Sequence, residues 1–138
     1  ESSALREDVA EVAQDILKRH GSEEWKAALL TNELHRHLGI YSLVGVKMGI
    51  RARELLHASL DDLRVESHAG LQPPVSCLSD GLQAATGASL GRGTIRVEGT
   101  PPAVEAVFSK GEAQLRLALK DKVRDQIGAD VAVAAFQL

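Results

Sequence analysis

The N-terminal part of the chain repeats apolar positions with the period of a helix. Five apolar residues recur at spacings of three, four and one: Leu5, Val9, Val12, Ile16 and Leu17. Side chains three and four positions apart share one face of a helix, so this pattern predicts an amphipathic helix, for which Gly21 is a suitable C-cap. A second, short helix is predicted over residues 23–30.

Residues 38–56 carry apolar side chains at nearly every angle around a predicted helix. A helix of this kind is buried over most of its surface. Gly45 and Gly49 lie four residues apart and therefore share one face, where another backbone can approach closely because no side chain intervenes.

The second half of the chain alternates β-type and helical segments. Strands are predicted over residues 63–70, 93–99, 103–109, 113–119 and 129–138, with a hairpin turn at residues 109–112. Helices are predicted over residues 73–87, which end at Gly87, and over residues 120–128. Residues 1–138 are therefore expected to form a single α+β domain, with N-terminal helices packed on a mostly antiparallel mixed sheet.

Charge and composition narrow the range of partners. The 16 basic and 19 acidic residues give a net charge of -3, and aromatic residues make up only 3% of the chain. Neither a basic footprint for nucleic acid nor aromatic platforms for base stacking are present. No apolar run approaches the ~18 residues of a membrane span. We expect a cytoplasmic protein without nucleic-acid or membrane partners, and an export signal upstream of Glu1 is left open.

His35 and His37 are two residues apart, so both imidazoles can point the same way if the segment is extended. In a helix they would diverge by about 200°. Neutral imidazoles suit zinc and related divalent metals, so a third ligand nearby would make a metal site. The alternative is a pair of ordinary structural histidines.

Cys77 is the only cysteine and is the natural third ligand. It lies near the start of the predicted helix, where the helix dipole favours a thiolate, and Asp80 follows at i+3 on the same face. Asp80 could ligate, orient a ligand or accept a proton. His68, at the end of a predicted strand, is a further candidate proton carrier. The alternatives are a cysteine that serves as a small buried hydrophobic residue and a structural His68.

Two blocks of sequence resemble the FmdE-like family, which takes its name from a component of formylmethanofuran dehydrogenase. They are HRHLGIYSLVGVKMGIRARELL and GLQPPVSCLSDGLQAATGASLGRGTIRVE, and the resemblance extends over residues 34–119. It implies a fold grouped with the catalytic domain of glyceraldehyde-phosphate dehydrogenase, a homodimer, and a divalent metal, usually zinc, near His35, His37 and Cys77. Gly39-Ile40 and Ser89 stand where the family commonly has Cys-Pro and a second cysteine, and the cysteine-rich ribbon that some members carry at the C-terminus is not among these residues.

Three functions are consistent with these features. The first is a metal-binding accessory or metal-handling protein that uses zinc or another divalent transition metal and serves a larger metalloenzyme. The second is a small metal-dependent enzyme that acts on a C1 or carbonyl-type substrate, with a small-molecule ligand at the metal and with Asp80 or His68 as the proton carrier. The third is a structural dimer module without a metal.

Overall fold

Helices make up the N-terminal part of the computed structural model, which describes residues 7–36 and 39–136. Helix α1 spans Glu7–His35 and is interrupted at Gly21, whose φ of 79° is not helical. The predicted break at Gly21 is therefore confirmed, but the second segment continues to His35 rather than ending at residue 30. Helix α2 spans Ile40–Leu55, close to the predicted bounds, but six of its 16 residues are buried and five are exposed, so it is less buried than predicted.

Two helices cross with their backbones in contact. A side chain on Gly45 would overlap the carbonyl oxygen of Leu78, and one on Gly49 would lie 2.6 Å from the Cβ of Ala85. Gly81 faces α2 in return, because a Cβ there would overlap the carbonyl oxygen of Ser42. The predicted close approach at the glycines of α2 is therefore confirmed, and its partner is helix α3, which spans Leu78–Thr86.

Helix α3 follows a short 3-10 helix, Val75–Cys77, and ends where predicted. Gly87 adopts a left-handed conformation, with φ 74° and ψ -2°, and its amide donates to the carbonyl oxygen of Gln83. This is the αL arrangement for which glycine is favoured, since it lacks a Cβ.

The sheet has four strands in the order β2-β1-β3-β4: β1 (Arg64–Ser67), β2 (Ile95–Val97), β3 (Glu105–Lys110) and β4 (Ala113–Ala118). Strand β1 pairs in parallel with β2 and antiparallel with β3, and β3 and β4 form a hairpin. Gly111, with φ 58°, occupies the first position of the two-residue hairpin turn. The predicted α+β domain with a mostly antiparallel mixed sheet is confirmed.

One face of the sheet packs on α2 and α3 and forms the core. Phe108, at the centre of that face, is fully buried, together with Leu78 and Leu82 of α3. Residues alternate between the two faces of a strand, so Glu66, Arg96 and Arg116 lie on the opposite, outer face. The two faces therefore differ in chemistry, with apolar residues inside and charged residues outside.

The predicted closing strand over residues 129–138 is wrong. Helix α4 spans Asp121–Phe136, so the helix predicted over residues 120–128 continues through most of that segment. Residues 137–138 lie outside the described part of the chain. The segment alternates valine with alanine, and alanine has the highest helix propensity, so the alternation did not indicate a strand.

Candidate functional site

A cleft of about 320 Å³ opens where the end of α1 meets the start of α3. The loop before α3, residues 70–73, forms one wall, and Ile95 and Val97 of β2 form part of the floor. The polar residues of the lining are His35, Ser76, Cys77, Ser79, Asp80 and Gln83. The cleft therefore combines an imidazole, a thiol, a carboxylate, hydroxyls and a carboxamide.

Helix α3 supplies several of these groups because of its spacing. Asp80 and Gln83 lie in α3 and Cys77 is its N-cap, so the three follow one another at intervals of three residues, close to one helical turn. Their side chains therefore share one face, as predicted for the first two. Asp80 lies in the first helical turn, where the partial positive charge of the helix N-terminus favours a carboxylate.

His35 reaches α3 from the other side of the cleft. Its Nδ1 lies 2.6 Å from Oδ2 of Asp80, and the two residues are 45 positions apart in the sequence. A carboxylate that binds one ring nitrogen fixes the orientation of the imidazole and directs the other nitrogen toward a ligand. His35 precedes α2 as expected, but it is the last residue of α1 and therefore does not lie in an extended or loop segment.

The thiol of Cys77 does not have the lowered pKa that its place near a helix start predicted. Burial, and secondarily the negative charge of Asp80, raise the pKa of its thiol above the usual range. A backbone hydrogen bond favours the thiolate, but desolvation and the neighbouring carboxylate outweigh it, so the pKa of the thiol is raised. The residue carries a proton at neutral pH and would release it on binding a cation.

The set His35, His37 and Cys77 is brought together only in part. His35 and Cys77 line the same cleft, whereas His37 lies outside the described residues. Within residues 7–36 and 39–136, no group of three or more histidine, cysteine, aspartate or glutamate residues has the arrangement of a metal site. The metal site of the sequence analysis stays a prediction.

His68 lies away from this cleft. Its Nδ1 is 2.5 Å from Oε1 of Glu105 and its Nε2 is 2.8 Å from Oε1 of Glu66, on the outer face of the sheet. Both glutamates also bind arginines, Glu66 to Arg96 and Glu105 to Arg116. We call these five residues the charge ladder, since they alternate in sign from β2 across the sheet to β4.

The charge ladder explains the ionisation of His68. Hydrogen bonds to Glu66 and Glu105 raise the pKa of the imidazole, which then donates from both nitrogens. Hydrogen bonds to Arg96 and Arg116 respectively, and to His68, lower the pKa of the two carboxylates. The structure therefore places His68 in a surface ion-pair network and not beside Cys77 or Asp80.

Sequence reasoning assigned no role to several residues of the cleft. Gln83 continues the three-residue spacing of Cys77 and Asp80, and this stripe could have indicated it. Ser79 is almost fully buried, and its Oγ lies 2.9 Å from Oγ of Ser67 in β1, which ties α3 to the sheet beneath the cleft. No local pattern marks that bond, because its two residues belong to different elements.

The chain matches the model of a known protein family. The family model described as "FmdE, Molybdenum formylmethanofuran dehydrogenase operon" matches residues 34–134. This range includes every helix and strand from α2 through β4 and most of α4. The chain is therefore a member of the FmdE family, as the resemblance indicated.

The chain matches none of the curated proteins with which it was compared. In the part of the chain that the structure describes, no helix has the length and apolar character to cross a membrane.

Proposed function

We propose that this FmdE-family chain binds a divalent transition metal, with zinc as the first candidate, and acts as a metal-handling accessory to a larger enzyme of the formylmethanofuran dehydrogenase type. The observation that supports the proposal is the convergence of His35, Cys77 and Asp80 on one cleft. His35 lies in α1, far in the sequence from the 3-10 helix and α3 that carry Cys77 and Asp80, and the donor atoms of all three are ones that zinc and its neighbours prefer.

The residues divide into ligands and a positioning residue. Cys77 would bind the metal through Sγ after losing its proton, and His35 through Nε2, because Asp80 holds Nδ1. His37 is the predicted third ligand. Asp80 positions the imidazole and adds the negative charge that a divalent cation requires in a partly buried site.

An accessory role fits the description of the family, which refers to an operon and hence to partner proteins. The proposed partner is the dehydrogenase itself. The homodimer implied by the resemblance and a cytoplasmic location belong to the same proposal. A measurement of molecular mass in solution tests the homodimer, and fractionation of the source cells tests the cytoplasmic location.

A metal-dependent enzyme is the second candidate, and the size of the cleft favours it. A volume of about 320 Å³ accommodates a small organic molecule as well as an ion. A bound metal would supply Lewis acidity or an activated water, and Asp80 is then the candidate proton carrier. An accessory should exchange its metal readily and show no turnover, whereas an enzyme should retain the metal and be inhibited by ligands for the open position.

Elemental analysis of untagged protein, purified without added metal, tests the proposal. We expect about one transition metal per chain, lost in His35→Ala, His37→Ala and Cys77→Ala. His68→Gln is the matched control, because it removes an imidazole outside the cleft and should leave the metal content unchanged. Protein that contains no metal and takes up none on reconstitution would refute metal binding, as would equal metal content in all variants.

A further inference from the structure

We infer that the cleft of His35, Cys77 and Asp80 is one half of a groove for an elongated, uncharged organic ligand with a polar head and an apolar body. This inference deepens the proposed function, and it rests on that function for the role of the ligand. Binding of the organic ligand is argued from Gln83, Leu71 and Pro102, none of which is a proposed metal ligand.

A second cleft adjoins the first. It has a volume of about 410 Å³ and lies between the loop that begins at Gly70 and the segment after β2, residues 98–102. The two clefts share Gly70, Leu71 and Val97 as lining residues. A ligand longer than the first cleft would therefore extend across these shared residues into the second.

The charges of the lining disfavour an anion. No lysine or arginine is among the described residues that line either cleft. Asp80 contributes a carboxylate to the first cleft and Glu98 one to the second, and Glu98 lies 3.6 Å from Arg96, which points to the outer face. In the metal-free cleft, a phosphate or carboxylate would find no lysine or arginine and would be repelled by Asp80. A divalent metal at Cys77 would in turn repel a cationic head. An uncharged ligand therefore suits both the metal-free and the metal-bound cleft.

Both clefts have polar and apolar lining residues, and two side chains suit the two ends of such a ligand. Gln83 lies in the first cleft, and its carboxamide can both donate and accept hydrogen bonds, which matches an amide or alcohol head. Leu71, at the junction of the clefts, is 83% exposed, and Pro102 lines the second cleft. An apolar body that covers this leucine would remove its side chain from water and thereby gain affinity.

Three probes on metal-free protein test this inference by ¹H–¹⁵N NMR titration: hexanamide, acetamide and hexanoate. Hexanamide should bind saturably and shift the amide signals of Ser79 in the first cleft and Gly99 in the second. Acetamide lacks the apolar body, and hexanoate replaces the neutral head with an anion. Both should bind at least about tenfold more weakly.

A matched pair of variants locates the contact. Leu71→Asn should weaken hexanamide binding at least about fivefold, whereas Leu60→Asn should leave it unchanged. Leu60 is also an exposed leucine, at 50%, but it lines neither cleft. Both variants should fold, since neither side chain is buried.

The outcomes separate this inference from the proposed function. Saturable hexanamide binding by a protein that takes up no metal would support the groove and reject the metal. The inference would be overturned by hexanoate binding as tightly as hexanamide, by shifts confined to one cleft, by equal affinities of the two leucine variants, or by no saturable binding of hexanamide. None of these results bears on the metal content.

Discussion

Gly81→Ala is the substitution that most directly tests the packing of α3, the helix that carries Asp80. The added methyl group would overlap the carbonyl oxygen of Ser42 and lie 2.7 Å from the amide nitrogen of Val46. Both obstacles are backbone atoms of α2, so neither can rotate aside. The two helices must separate to admit one carbon atom.

Two opposing effects determine the change in the free energy of unfolding. Alanine is favoured over glycine in a helix by about 1 kcal/mol. An extra methyl group in a packed interior costs about 1–3 kcal/mol when side chains can adjust, and backbone obstacles place this case at the upper end. We expect a net loss of about 2 kcal/mol or more, a large part of the 5–15 kcal/mol that typically stabilises a domain.

Urea unfolding followed by circular dichroism measures this loss. With a slope of about 1–3 kcal/mol per molar urea, a loss of about 2 kcal/mol should lower the midpoint by about 0.7–2 M. Gly128→Ala is the control, because Gly128 lies in α4 and no described atom is within 4 Å of the added methyl group. This variant should gain up to about 1 kcal/mol. Equal stability of the two variants would contradict the backbone contact between α2 and α3.

Three further predictions concern ionisable groups. Removing the imidazole in His68→Gln should lower the free energy of unfolding by about 1 kcal/mol near pH 5.5. The raised pKa of His68 stabilises the fold fully below pH 6.5, the ordinary pKa of histidine, and this stabilisation is lost as the pH rises through the pKa of the folded state. The lowered pKa values of Glu66 and Glu105 stabilise the fold above pH 4.5, and this stabilisation is lost in acid. The urea midpoint of His68→Gln should therefore differ less from that of the unmodified protein both in acid and at high pH. A difference that does not depend on pH would contradict the charge ladder. Asp80→Asn should weaken zinc affinity in a chelator competition by about 10–100-fold, and unchanged affinity would show that the carboxylate does not position the imidazole. Cys77 should react with iodoacetamide more slowly than a free thiol at pH 7 and faster as pH rises, and rapid reaction at pH 7 would contradict the raised pKa.

Much of the secondary structure could be predicted because it depends on local geometry. The glycine spacing of α2, the break at Gly21 and the C-cap at Gly87 follow from steric rules within one segment. The closing strand was predicted wrongly because alternating valine and alanine satisfies the period of a strand while alanine favours a helix. The alternation of residues indicated a strand and the helix propensity of alanine indicated a helix, and the structure has a helix there.

The candidate site was predictable in part, since the resemblance placed His35 near Cys77 and both line the cleft. The positions of Cys77 and Asp80 on one face follow from helical spacing, so the sequence alone determined that stripe. Its local electrostatics were not predictable, since the pKa of the thiol depends on how deeply neighbouring elements bury it. For His68, the sequence likewise indicated a position at the end of a strand but did not indicate that Glu66 and Glu105 are its partners.

By itself, then, the sequence determined the local elements, the glycines that let helices approach and the motifs of the FmdE family. Tertiary structure alone decided that His35 meets Asp80 across 45 residues, that Gly81 is the counterpart of the α2 glycines, and that His68 joins the charge ladder on the far side of the sheet. The physical reason is that backbone geometry sets spacings within a helix or strand, whereas distances between elements are set by how all the apolar faces pack at once.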